Sequence, residues 1–233
     1  MTFVLVHGAY HGPWVWEPLR GELEARGHAS VAVDLPIGDP TAGHDAYVAA
    51  ITTVVSDVAD PVLVGHSMAG LIVPVAAAEV AASRIALVCA YLPKPGMTFN
   101  AQRAAESMEG RFAGPMEFED GGDGTWMIGD ATARGLFYSG IPESVATAAV
   151  ARLRPQAYGL FDEVCPLERL PDASWSLIAA RDDPAVGFDW AMRAGPSRLG
   201  VATTVIEGGH SPMLGRPGEL ADVLVAFAER PAP

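Results

Sequence analysis

The sequence predicts an α/β fold: a mostly parallel sheet of about six strands, helices on both faces, and a small helical cap inserted after the fourth strand. Three observations predict it. Short apolar runs of strand length alternate with longer stretches of helical spacing. The strand runs are apolar throughout rather than alternating, so both faces of the sheet must be covered. The alternation stops near Lys94 and resumes after Leu170, so residues 94–170 form the insertion.

Each element has its own signal. Residues 3–6 are a short, β-branched run that ends at His7-Gly8. Residues 14–26 carry apolar side chains at Trp16, Leu19 and Leu23, and Gly27 ends that helix. A second strand over 30–33 is stopped by Asp34-Leu35-Pro36, and 46–58 form the second helix. Residues 62–64 are the third strand, an Ala-rich third helix covers 68–82, and 85–88 are the fourth strand. The insertion holds no comparable strand. It has an acidic, Gly-rich loop over 117–124 and helical stretches near 130–137 and 142–153. Strand 176–180, helix 188–199, strand 203–206 and helix 217–229 complete the pattern.

Composition bounds the function. The 233 residues suit one domain, with the cap inside it, and half of them are apolar, enough for a substantial core. The net charge of −13 repels phosphate backbones and anionic lipid, so neither nucleic acid nor membrane is expected as a partner. The most apolar region, 71–92, is broken by Pro74, Glu79, Ser83 and Arg84, so it is not a membrane span. No basic segment precedes the first strand, and a cytoplasmic protein without a leader is expected. Cys89 and Cys165 read as buried, inert thiols, not as a metal site or a disulfide framework. The expected partner is a small-molecule substrate. A homodimer is compatible with the sequence but not specified by it.

A covered parallel sheet carries its chemistry where the strands end. Residues 62–70, Val-Leu-Val-Gly-His-Ser-Met-Ala-Gly, read as strand, sharp turn and helix, which would expose the Ser67 hydroxyl as a nucleophile. The G-x-S-x-G pattern is kept at Gly65 and relaxed to Ala69. A serine hydroxyl needs a positioned base. His210 follows the last strand and lies downstream of Ser67, in the order this architecture requires. An acid should follow the preceding strand, where both Asp182 and Asp183 stand. Asp183 is favoured, because Val186 three positions on lets the loop pack back. The oxyanion donors would be the N–H groups of Met68 and of Ala9, in the loop after the first strand. His7 and His11 read as loop-bonding, His66 as support for the turn, and His28 and His44 as surface or turn residues. Tyr10, Trp14, Trp126, Phe137 and Tyr138, with Met108, Met116 and Met127, are candidates for an apolar substrate pocket. This chemistry needs no metal and no organic cofactor.

These residues also carry a resemblance. Residues 3–9 with His11-Gly12, Trp14 and Trp16, the segment Gly65-His66-Ser67-Met68-Ala69-Gly70, the acid loop 181–186 and the histidine loop 209–214 resemble the plant methylesterase and hydroxynitrile lyase group of the α/β-hydrolases, shared by bacterial relatives. The cap stretches Phe137-Tyr138 and Leu153-Arg154-Pro155 are similar too. The resemblance implies the α/β-hydrolase fold and puts Asp183 at the catalytic acid's place. It implies that a lyase would carry threonine where Gly8 stands and lysine where Ser211 stands. The only lysine, Lys94, lies elsewhere, so ester hydrolysis is expected. A serine at the turn also argues against the carboxylate chemistry of haloalkane dehalogenases and epoxide hydrolases. The rivals are a non-hydrolytic biosynthetic enzyme, a cyclase or lyase, and a receptor-like ligand binder of the same fold.

Overall fold

In a computed structural model, which describes residues 1–230, the first half of the chain alternates as the sequence requires. It runs β1 (Thr2–Val6), α1 (Glu17–Ala25), β2 (Ala29–Val33), α2 (His44–Val55), β3 (Pro61–His66), α3 (Val73–Glu79) and β4 (Arg84–Val88). The stretch that follows holds α4 (Phe99–Glu106), β5 (Phe118–Asp120), β6 (Thr125–Ile128), α5 (Asp130–Phe137), α6 (Glu143–Val150), β7 (Gln156–Ala157) and α7 (Gly159–Asp162). Last come β8 (Ser174–Ala180), α8 (Phe188–Ala194), β9 (Thr204–Ile206), α9 (Pro212–Gly215) and α10 (Pro217–Ala228).

Six strands form the main sheet in the order β2-β1-β3-β4-β8-β9, and each neighbouring pair is parallel. The continuous apolar runs now divide by period two. Val4, Val6, Leu63, Ile85 and Leu87 face one layer of the core, with Tyr47 and Ile51 of α2. Phe3, Leu5, Val64, Ala86 and Val88 face the other, with Leu19 and Leu23 of α1 and Leu224 and Phe227 of α10. A third cluster lies in the cap and joins Tyr10 to Ile128, Phe137, Tyr138 and Leu153. The strand order reverses between β1 and β3, so the loops leaving those two strands diverge and open a crevice at their carboxyl ends.

The third helix differs from expectation. It begins as a 3-10 turn, Ser67–Leu71, and α3 starts only at Val73. Pro74 lies in the first turn of α3, where its missing N–H costs nothing. The cap is also not purely helical. β5, β6 and β7 make a small antiparallel sheet, and its hairpin turns at Gly122 and Gly124, both with positive φ. The acidic, Gly-rich loop is therefore the tip of a hairpin whose strands are too short for a sequence period. None of the helices is long and apolar enough to cross a membrane among the described residues.

Candidate active site

The turn at Ser67 is a strained one. Ser67 has φ of 55°, in the left-handed region, directly after β3 and at the head of the 3-10 turn. Small neighbours permit that geometry. A Cβ on Gly65 would lie 3.0 Å from Val73 and 3.3 Å from the Ala69 backbone. The tightest demand falls one residue beyond the motif: a Cβ on Gly70 would sit 1.9 Å from the Tyr91 carbonyl oxygen. Met68 is the second residue of the turn, where backbone N–H groups have no intrahelical partner.

The loop after β1 lies against Ser67. A Cβ on Gly8 would fall 2.9 Å from Ser67 Cβ and 3.0 Å from His66 Nδ1. No side chain fits there, and the loop backbone can approach a bound carbonyl. Ala9 and Met68 both line the same cavity as Ser67.

The loops after β8 and β9 bring Asp183 and His210 together. His210 is buried after β9, and its Nδ1 lies 3.0 Å from both Asp183 oxygens. Asp183 is 6% exposed, and its Oδ1 accepts the N–H groups of Ala185 (2.8 Å) and Val186 (3.0 Å). The loop thus packs back through Val186 and fixes the carboxylate. Asp182 is exposed and has no bond to His210. The structure therefore brings Asp183 to the imidazole and leaves Asp182 in solvent. An accepting carboxylate at Nδ1 holds the proton there and leaves Nε2 with a free lone pair. Nε2 is buried and unpartnered among the described residues, and no hydrogen bond joins it to Ser67 Oγ. Such contacts commonly tighten only when substrate is bound.

Three buried histidines knit the surrounding loops. His66 Nε2–H donates to the His210 carbonyl at 2.9 Å and ties the nucleophile strand to the histidine loop. Burial, then the neighbouring His210 and His11, keeps its pKa well below the ordinary value. His11 donates from Nδ1 to the Ala9 carbonyl (2.6 Å) and accepts Tyr138 OH at Nε2 (2.9 Å). Burial pushes its pKa down to about 3. His7 accepts the Leu35 N–H at Nε2 (3.1 Å), so its Nδ1–H donates to the Gly8 carbonyl at 2.9 Å. Its pKa is lowered, chiefly by burial. All three are neutral at pH 7. His44 departs from expectation: it opens α2, is buried, and bonds through Nδ1 to Glu163 at 2.8 Å. Cys89 is buried after β4 with its thiol pKa pushed well up by burial and by Asp183, so it is inert.

The cavity at Ser67 has a volume of about 340 Å³. Tyr10 and Phe137 are in its wall, as is Met116. Trp14, Trp126 and Tyr138 are not, which corrects the expected pocket. Trp14 packs on His11 under the Arg152 guanidinium. Trp126 faces solvent on the outer side of the cap sheet and is 36% exposed. Tyr138 turns its hydroxyl to His11 and away from the cavity. Met108 is fully buried in the sheet's core, and Met127 packs on the cap core instead. In their place stand Phe112, Phe118, Tyr158 and Phe161. The wall's one ion pair, Arg103 Nε to Glu109 Oε1 at 2.6 Å, neutralises itself. None of these had a local sequence signal, because the cap's chain path decides which aromatics face inward. Lys94 reaches only Glu106, at 3.7 Å, and is not in the cavity wall.

Comparison with known proteins agrees with this fold. Methylesterase 2 of Arabidopsis thaliana is 27% identical over 97% of this chain and 95% of its own. An α-hydroxynitrile lyase of the same plant is 58% identical, over 33 residues only, 14% of this chain and 13% of that one. The crystal structure of polyneuridine aldehyde esterase superposes with a TM-score of 0.84 at 21% identity, covering 98% of this chain and 99% of that one. The model of the alpha/beta hydrolase family matches residues 3–223. With that model spanning nearly the whole length and the fold in agreement, the chain belongs to the alpha/beta hydrolase family.

Proposed function

We propose that the protein hydrolyses carboxylic esters of small apolar or aromatic acids through an acyl-enzyme on Ser67. The observation that carries this reading is the buried His210–Asp183 pair beside a strained serine that opens into an apolar, charge-neutral cavity. The likeness to a methylesterase over nearly the full length supports it.

Ser67 Oγ attacks the ester carbonyl carbon as His210 Nε2 takes its proton. Asp183 holds the imidazole in the Nδ1–H tautomer and stabilises the imidazolium that forms. The N–H groups of Met68 and Ala9 receive the oxyanion. His210 then protonates the departing alcohol, water enters by the same route, and the acid is released. The missing lyase groups support hydrolysis over cyanohydrin cleavage. Gly8 has no room for a threonine side chain, and Lys94 is outside the cavity.

The test is Ser67→Ala with p-nitrophenyl acetate. The expected result is a kcat lower by about 10⁴-fold or more, with loss of labelling by a fluorophosphonate probe. Wild-type turnover by the folded alanine variant would overturn the reading. Neutral esters are expected to outrun charged isosteres, because the wall has no unpaired charge to receive them.

A further inference from the structure

The cavity holds a polar feature that ester hydrolysis does not use. The hydroxyls of Tyr10 and Tyr158 are hydrogen-bonded to each other across it, and neither has another protein partner among the described residues. Tyr10 comes from the loop after β1 and Tyr158 from the chain just before α7, so the body and the cap each supply one hydroxyl. The setting is aromatic. The Tyr10 ring lies 6.4 Å from Phe118 and 6.1 Å from Phe137, and Tyr158 lies 5.3 Å from Phe161, centroid to centroid.

Tyr10 is held there at a cost. Its φ of 63° is left-handed, an unfavourable conformation for a bulky residue. The backbone is over-determined: the Tyr10 carbonyl accepts the Arg154 N–H at 2.8 Å, and the Tyr10 N–H donates to Gln156 Oε1 at 3.4 Å. Packing alone would be met by phenylalanine at both positions, without burying two hydroxyls.

The hydrogen-bond count gives the pair a direction. Two phenols bring two donors, and the bond between them uses one. Whichever hydroxyl accepts keeps its own proton free. Burial raises both phenol pKa values, so neither ionises near neutrality. A free O–H among apolar walls is a strong recognition element, because few other polar groups there compete for an incoming acceptor.

We propose that the Tyr10–Tyr158 hydroxyl pair is a substrate-binding subsite that donates a hydrogen bond to a second acceptor oxygen, a ketone carbonyl, on the acyl chain of the ester. The preferred substrate class is then an oxo-substituted ester, not a plain hydrocarbon one. The inference rests on the ester reading for its substrate class, but its test does not depend on turnover.

Ethyl hexanoate and its 3-oxo, 4-oxo and 5-oxo forms are titrated into the Ser67→Ala protein, and Kd is read by calorimetry. One oxo position is expected to bind about tenfold more tightly than the parent ester. That gain should vanish when Tyr10→Phe and Tyr158→Phe are added together. Removing both partners leaves no orphaned hydroxyl, so the combined variant keeps its fold. In Tyr158→Phe alone the gain should shrink, since Tyr10 must then serve by itself. The proposal is overturned if no oxo ester gains over the parent. It is equally overturned if the gain survives in the protein lacking both hydroxyls, which would place the contact at Arg103. Hydrolysis by the wild type, followed separately on the same four esters, decides the ester reading.

Discussion

At the scale of single residues, the site depends as much on missing side chains as on reactive ones. Gly8 is the clearest case. Its Cβ position is taken by Ser67 Cβ at 2.9 Å and by His66 Nδ1 at 3.0 Å, both held in a packed turn. An alanine there must move the loop or the serine by several tenths of an ångström. Misplacement on that scale costs about 10²-fold in rate when it disturbs a reacting geometry. Gly8→Ala should therefore lower kcat for p-nitrophenyl acetate by roughly that factor, with only a modest fall in Tm. Gly21→Ala is the control. Gly21 lies on the exposed side of α1 with nothing within 4 Å of an added Cβ. It should leave kcat unchanged and stabilise the helix by about 0.5–1 kcal/mol. A Gly8→Ala protein with wild-type kcat would show that the loop's close approach does not matter. Gly8 could be singled out from the sequence as a small residue in the right loop. The required absence at Gly70 could not, since it is set by the Tyr91 carbonyl of a different loop.

At the scale of elements, Ser67, Asp183 and His210 were legible because each stands just after a strand, and strands announce themselves by local composition. Of the two aspartates after β8, position favoured Asp183 only through Val186 three residues on, and the Asx-type bonds from Ala185 and Val186 are what distinguish them in the fold. In the cap, α5 and α6 were legible from helical spacing, and the small sheet was not. Its strands have two to four residues, and its work is done by long-range contacts. Arg154 is the main one. Its guanidinium donates to the His11 carbonyl from Nε (3.0 Å) and Nη2 (2.8 Å), and Nη2 also reaches Asp34 Oδ1 at 2.7 Å. With its own N–H on the Tyr10 carbonyl, it clamps the loop that carries Ala9 to the cap. Arg154 is not itself in the cavity wall, so it acts as a positioning residue. Arg154→Gln should lower kcat about tenfold with little change in KM, since in the proposed mechanism a loosened oxyanion donor harms the transition state more than the ground state. Arg154→Lys should recover only part, because one ammonium cannot form the forked contact. A raised KM with kcat preserved would assign Arg154 to substrate binding instead.

At the scale of the whole molecule, the neutral histidines under the site tie folding to pH. His7, His11 and His66 are each fully or almost fully buried, and burial is the largest cause lowering all three pKa values. The sign follows from linkage. Above about pH 6.5 these side chains are neutral in both states and contribute no pH dependence. Below it the unfolded chain takes up protons that the folded chain refuses, so stability falls as pH falls. His11, with a folded pKa of about 3, keeps refusing its proton down to that pH. Between pH 7.5 and 5.5 it alone should lower the unfolding free energy by about 1.4 kcal/mol, and His7 and His66 act in the same direction. The opposing effect is weak in this window. Protonating carboxylates would relieve the self-repulsion of a chain with net charge −13, but ordinary carboxylates titrate near pH 4. Asp34, paired with the Arg154 guanidinium at 2.7 Å, titrates lower still. Urea unfolding at the two pH values is the measurement. The midpoint should move to lower urea at pH 5.5 while the slope stays constant, and His11→Gln should lessen the shift. Equal stability at both pH values would mean that the imidazoles beneath the loop after β1 accept protons in place, against the burial that lowers all three pKa values.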